Sequence, residues 1–376
     1  MSETSGAPSF RNAEISKDRF QLGIAPRRTS SIVPWPISLV TYRAENDDSL
    51  PMLVEWRNPD RQFFGSTISI PELRLRRDHV VAVLQATSNL PRVAMPTCRV
   101  LDCIGWFTST GQENGEKLEL VGFASRPSSW ADPRRPHVSL KRLLDQSIEN
   151  GGKDTPSLRK QFKLAAALAQ AIYQLQCSNW LHRALSSEQL LFFYDLESLD
   201  LRLGAPFLAS LLYSRPDDQR VDDKVFVTVS EGKIVGRGPS DSYIHPGLMM
   251  SPRRYRRSCG VYSLGVLLEI ALWEPAAEYC NSSDGHYRQR IHEAEVFASR
   301  VFEAAKDKLA AEVGEFYQSA VIAWLKGLRS QSNSRTRNVE NNEDAYDGKY
   351  RGEDPEYGLE SDLLWKVVRQ LEKLRV

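Results

Sequence analysis

Cysteine is scarce and unpatterned in this chain. There are five, Cys98, Cys103, Cys177, Cys259 and Cys280, an odd number with no C-x-x-C pair. That argues against a disulfide framework or a cysteine-based zinc site, and it leaves reduced, buried thiols as the expectation. The six histidines are scattered. H-E-x-x-H, G-x-S-x-G and the P-loop are all missing, which removes the common zinc-protease, serine-hydrolase and P-loop nucleotidase readings. An excess of one charge is lacking too: 49 basic residues face 48 acidic ones, for a net charge of +1. No global field would recruit nucleic acid or an anionic membrane. The longest apolar run, Val266 to Trp273, is too short to span a bilayer and contains Glu269. The opening residues, Met1 to Gly6, are polar and lack the apolar core of a signal peptide. These absences predict a cytoplasmic protein with no membrane span, no nucleic-acid partner, no metal and no cofactor.

What is present is enough for a packed core. The hydrophobic fraction is 41%, with 8 Trp, 13 Tyr and 14 Phe in 376 residues. That length fits one two-lobed domain or two small ones. Residues 1–45 read as a flexible arm of small and polar residues broken by Pro26, Pro34 and Pro36. Met52 to Arg57 is β-branched and aromatic and predicts a strand. Pro71 to Ala86 reads as a helix, with proline at its start and Leu73, Val80, Val81 and Leu84 on one side. Glu72 falls in its first turn and is taken as a partner of the helix dipole. Cys98 to Phe107 and Lys117 to Phe123 predict two strands around an Asn114-Gly115 turn. A Pro-, Ser- and Arg-rich stretch at 125–137 then marks the domain boundary.

Helical periodicity dominates the second half. Val138 to Ile148 is a short helix with Ser139 as its cap, and Ser157 to Gln176 carries an apolar stripe from Phe162 to Leu175. Tyr262 to Pro275 is almost wholly apolar and must be buried on most sides. Further helix follows over 291–328, with Val301, Leu309, Val313, Tyr317 and Val321 in register. Residues 329–357 are polar, poor in aliphatics, and read as a disordered insert. Glu360 to Leu374 places Leu363, Leu364, Val367, Val368, Leu371 and Leu374 on one face, which should dock on the helical part.

The stretch Trp180-Leu181-His182-Arg183-Ala184-Leu185-Ser186-Ser187-Glu188-Gln189-Leu190 resembles the catalytic loop of a protein kinase, H-R-D-L-K-x-x-N-x-L, with its chemistry removed. Ala184 stands where the proton-accepting aspartate would be, Ser186 where the lysine would be, and Gln189 where the metal-holding asparagine would be. No D-F-G exists; by spacing Ser210, Leu211 and Leu212 occupy its place. No glycine-rich phosphate loop exists either, with Gly23 isolated. The phosphate-binding lysine of the V-A-I-K strand would fall at Trp56 or Arg57. Arg57 is a weak anion candidate, and the plainer reading is a surface arginine at a strand end. His182 is read as a buried hydrogen-bonding residue in preference to a base. The basic cluster Arg253 to Arg257 could receive a phosphate, but a solvated run balanced by nearby aspartates is the plainer reading. Asp195 and Asp200 precede the strand and are read as turn residues.

Together with Tyr262 to Pro275, which resembles the central buried helix of the large kinase lobe, these motifs are similar to the fungal kinase-like domains found beside HeLo (prion-inhibition and propagation) domains. The resemblance covers about residues 50–376. It implies an α+β, protein-kinase-like bilobal fold: a small β-rich N-lobe over 46–124 and a larger helical C-lobe over 125–376. The implied function is a catalytically inactive scaffold with a protein partner, acting in fungal self/non-self recognition or cell-death signalling. The alternative is a divergent active kinase binding ATP between the lobes. The first 45 residues are too few for a HeLo domain, leaving a stand-alone domain and a shortened form of a longer protein as the two alternatives.

Overall fold

The computed structural model describes residues 13–22, 27–28, 37–44, 46, 48–57, 62–63, 66–67, 99–113, 116–177, 180–182, 185–209, 215–216, 265–275, 301–325, 361 and 363–374, together with positions 71, 74, 77, 78, 81, 82 and 85. Within these the chain is mixed α and β, and it divides into two compact units. The first comprises residues 1–146, 187–215 and 219–241; the second comprises 147–186, 216–218 and 242–376. The described strands cluster in the first and the described long helices in the second.

The first unit is built on a six-stranded sheet in the order β1 (Phe20–Gln21), β3 (Ile37–Arg43), β4 (Ser49–Arg57), β9 (Glu116–Arg126), β8 (Asp102–Glu113) and β2 (Arg27–Arg28). Every neighbouring pair is antiparallel except β2 with β8. β8 and β9 are the predicted Asn-Gly hairpin: they pair from Asp102 with Arg126 up to Glu113 with Glu116. Two further two-residue strands, β5 (Gln62–Phe63) and β6 (Ser66–Thr67), pair with each other. Positions 71, 74, 77, 78, 81, 82 and 85 are helical, in line with the predicted helix there.

Residues 13–22 and 37–43 belong to this unit and carry sheet structure, although their composition reads as part of a loose arm. The reason is non-local pairing. Ile15 donates its N–H to the Trp106 carbonyl at 2.8 Å, and Trp106 donates to the Ala13 carbonyl at 3.0 Å. The approach is so close that a Cβ on Gly105 would lie 2.4 Å from the Ala13 oxygen, so glycine is required there. Asp78, on the helical segment, accepts from Ala13 N–H at 3.0 Å and from Trp106 Nε1 at 2.8 Å.

Strand alternation splits β4 between two apolar clusters. Met52, Val54 and Trp56 face a core with Phe20, Val40, Phe107, Leu120 and Ala124. Phe107 stacks on Phe20 with 4.1 Å between ring centroids and meets the Trp56 edge at 5.4 Å. Leu53 faces the other way, into a cluster with Leu101, Ala131, Leu191, Phe193, Phe207 and Ala209. That second cluster lies on a four-stranded sheet in the order β10 (Val138–Ser139), β12 (Leu190–Phe192), β13 (Phe207–Leu208) and β7 (Arg99–Val100). Cys103 is fully buried, and burial pushes its thiol up to about 12; Cys177, by contrast, is exposed.

In the second unit, α2 (Leu158–Cys177) follows α1 (Leu140–Glu149), whose last residues belong here. Ser139 caps α1 as predicted, its Oγ accepting from Arg142 N–H at 3.2 Å. α2 leads to the short strand β11 (Trp180–Leu181). α3 (Gly265–Leu272) buries Val266 through Ala271, as a helix apolar but for Glu269 must. It packs with α2, with α4 (Leu309–Val313) and with α5 (Glu315–Leu325). Tyr317 of α5 donates its hydroxyl to the Leu267 carbonyl at 2.8 Å from a fully buried position. The C-terminal segment docks on α2 and α5 through buried Leu363, Val367, Val368 and Leu371, first as a π-helical turn, Leu364–Val368, then as α6 (Arg369–Lys373). Among the described residues no helix is long and apolar enough to cross a membrane.

Candidate functional site

The first unit contains a cavity of about 640 Å³, within the range that takes a small ligand. Its walls come from five short pieces of chain. Ile37 and Glu55 are direct partners across β3 and β4 and form one side. Arg135 to Ser139 and the first turns of α1, with Lys141, Arg142, Asp145 and Gln146, form another. Glu188, Gln189 and Leu191 enter from the turn into β12, with Tyr194 beyond it and Ala209 after β13.

Backbone hydrogen bonds hold these pieces together. Lys141 N–H donates to the Ser187 carbonyl at 3.0 Å, fixing the start of α1 against the turn. Ala209 N–H donates to the Gln189 carbonyl at 2.9 Å, which sets Gln189 beside the end of β13. The 130–135 segment is tied to the chain after β12: Asp132 N–H donates to the Tyr194 carbonyl and Leu196 N–H to the Trp130 carbonyl, each at 2.8 Å. Asp195 organises the turn beyond, accepting from Ser198 N–H at 3.0 Å and Glu197 N–H at 2.9 Å. These backbone donors hold its carboxyl below the usual range, with Arg202 adding to the effect. Asp195 is therefore a turn residue, as its position before the strand suggests.

The cavity carries charges of both signs. Lys141 and Asp145 form an i,i+4 pair at 2.8 Å on α1. Arg135 donates to the Leu199 carbonyl at 2.7 Å and lies 3.4 Å over the Tyr194 ring. Burial raises the Glu188 carboxyl; Lys141 opposes the shift and Asp145 adds to it. Burial also lowers His137, favouring the neutral ring at ordinary pH.

Of the residues picked out from the sequence, Gln189 reaches the cavity. His182 and Ser186 are buried and belong to the second unit. Arg183, Ala184, Ser210, Leu211 and Leu212 lie outside the described residues, as do Glu72, the 253–257 cluster and the 329–357 insert. So does the Arg57 side chain, although its backbone closes β4 against Val121. Trp56 is not placed to meet a ligand. It is 1% exposed in the core and donates Nε1–H to Ser38 Oγ at 3.0 Å. Alternation instead turns its neighbour Glu55 to the cavity side. Glu55, His137, Lys141, Asp145 and Glu188 escaped the sequence reading. The period-two pattern Met52-x-Val54-x-Trp56 was the signal for Glu55, and the i,i+4 spacing was the signal for Lys141 and Asp145.

Among the described residues no group of three or more His, Cys, Asp or Glu side chains is arranged to hold a metal ion. Neither a scan against protein-family models nor a search of curated proteins finds a match to this chain.

Proposed function

We propose that the chain is a kinase-like protein without phosphoryl-transfer activity, serving as a binding or regulatory scaffold for a protein partner in the cytoplasm. The element order supports this reading. A strand pair over 37–57, helical positions at 71–85, a hairpin over 102–126 and helices from 140 onward succeed one another as the resemblance implies. One observation carries the loss of activity. The loop at 182–189 carries Ala184, a methyl, where phosphoryl transfer needs a proton-accepting aspartate, and Gln189 of the same loop, in place of the metal-holding asparagine, lines the cavity. An alanine can neither accept the substrate proton nor orient the attacking hydroxyl. A role in fungal self/non-self recognition or cell-death signalling rests on the resemblance of the motifs quoted above.

The test is incubation of purified protein with radiolabelled ATP, Mg²⁺ and a general substrate, beside an Arg57→Ala variant. The expected result is no phosphate incorporation in either. Incorporation by the natural chain that disappears in the variant would overturn the proposal.

A further inference from the structure

We propose that the outer face formed by the first turns of α2, the start of α5 and the C-terminal helical segment is a docking surface for an acidic segment of a protein partner, one that carries apolar side chains among its carboxylates. The proposal rests on the scaffold reading for the existence of a partner and on this face for the partner's chemistry.

The C-terminal segment packs on both α2 and α5 within the second unit. Phe162 of α2 and Tyr317 of α5 have ring centroids 5.6 Å apart, so the first turns of α2 lie beside the first turn of α5. Lys373 of α6 holds its ammonium 5.9 Å from the centre of the Phe316 ring, and one turn earlier Arg369 stands 6.0 Å from the centre of the Trp365 ring. Ring, cation, cation and ring thus follow one another along the surface from Trp365 to Phe316. Both rings are open to solvent, Trp365 at 61% and Phe316 at 57%, and Leu158 at the start of α2 is exposed as well. The apolar side of the C-terminal segment, Leu363, Val367, Val368 and Leu371, is buried, so these rings lie on the side away from the core.

The charge of the partner follows from the charge of these three elements. α2 carries Arg159, Lys160 and Lys163 and no acid. Residues Leu363 to Leu374 carry Lys366, Arg369 and Lys373 against Glu372, and α5 adds Glu315. Six exposed cations therefore stand against two carboxylates, an excess that does not depend on which pairs form. The chain as a whole is nearly neutral at +1, so the excess is local. Arg159 with Lys163, and Arg369 with Lys373, are like charges four residues apart on a helix, an arrangement that costs stability and that carboxylates from a partner relieve. Tryptophan and arginine are also the side chains that dominate the energy of protein interfaces. A lipid surface fits this face less well. Helices that lie in a bilayer interface keep their cations on the side opposite their apolar side chains, whereas here the cations stand over the outward rings.

The experiment is a fluorescence-anisotropy titration of the purified full chain with a labelled peptide repeating Asp-Glu-Leu-Asp-Glu-Phe. The comparison probes are the same peptide with glycine for Leu and Phe, the same peptide with lysine for Asp and Glu, and vesicles of phosphatidylserine and phosphatidylcholine. The expected result is saturable binding of the first peptide, at least about tenfold tighter than the glycine version, weakening as salt rises, with no binding of the lysine version. Arg369→Glu together with Lys373→Glu should weaken it by about tenfold or more, and Trp365→Ala by about fivefold. All three side chains are exposed, and circular dichroism with a melting curve establishes that each variant is folded. Should the double variant fail to fold, Trp365→Ala decides alone. Arg43→Glu together with Lys117→Glu, at exposed positions of the first unit, makes the same change in net charge and should leave the affinity unchanged. Equal weakening by that control overturns the proposal. So does unchanged affinity in the folded variants, no saturable peptide binding, or vesicle binding in place of peptide binding. Phosphate incorporation from ATP beside intact peptide binding overturns the scaffold reading alone. Absent peptide binding without phosphate incorporation overturns this proposal alone.

Discussion

The two faces of β4 are surrounded differently. On one, Met52, Val54 and Trp56 are at most 1% exposed and pack in an apolar cluster, with the Trp56 indole N–H donating to Ser38 Oγ. On the other, Leu53 joins a second apolar cluster while Glu55, two residues on, opens onto a cavity carrying charges of both signs. The difference teaches that one short strand can supply a packed core with one face and a cavity wall with the other, separated only by the direction in which successive side chains point. Changes on the first face should cost more stability than changes on the second.

The most severe break of this contrast is Trp56→Ala. It removes a fully buried indole that meets Phe107 edge-on, and the expected loss is roughly 3–5 kcal/mol of stability, read from urea denaturation. A loss below about 1 kcal/mol would show that the Trp56 face is not the packed side. Gly105→Ala comes next. Its new methyl would meet the Ala13 carbonyl at 2.4 Å, a backbone atom that cannot swing aside. We expect a cost of about 1–3 kcal/mol, with faster amide exchange at Ile15 as the 13–15 segment lifts.

A smaller effect should follow at Asp195, behind the cavity. Its carboxyl is depressed by the Ser198 and Glu197 backbone donors and by Arg202. A depressed acid stabilises the fold at pH above its unfolded value, and that stability is lost as pH falls through the folded value. Asp195→Asn should therefore be less stable than the natural chain at neutral pH, and its stability should decline less steeply on the acid side. Parallel acid declines in urea midpoints measured between pH 7 and pH 3 would contradict this.

The smallest structural effect is expected on the cavity face. Glu55→Gln should change stability by about 1 kcal/mol or less, because the side chain is half-buried and glutamine keeps its shape. Near-equal destabilisation by Glu55→Gln and Trp56→Ala would erase the distinction between the two sides of the strand.

Much of the element plan was legible in the residues. The Asn-Gly hairpin, the Ser139 cap, the buried apolar helix at 265–272 and the docking face of the C-terminal segment each follow from local periodicity or capping chemistry. These signals act over a few residues and need no partner to be recognised. The candidate site was far less legible. Gln189 was picked out, but Glu55, Lys141, Asp145 and Glu188 lie up to more than a hundred positions apart in the chain and look like ordinary surface charges one at a time. The 13–22 stretch was opaque for the same reason: its pairing partner, Trp106, is about ninety residues away.

By itself, the sequence determined most of the long helices and the central hairpin, which of their faces are apolar, and that the loop at 182–189, which resembles a kinase catalytic loop, carries alanine, serine and glutamine at the positions of its aspartate, lysine and asparagine. Those are covalent facts and short-range preferences. Only the tertiary structure decided that Trp56 turns to the core while Glu55 turns to a cavity, and that Glu188 and Lys141 share its wall. The register between β3 and β4, and the hydrogen bond from Lys141 to Ser187, depend on contacts between segments far apart in the chain. No local pattern of residues encodes which distant strand a given strand will meet.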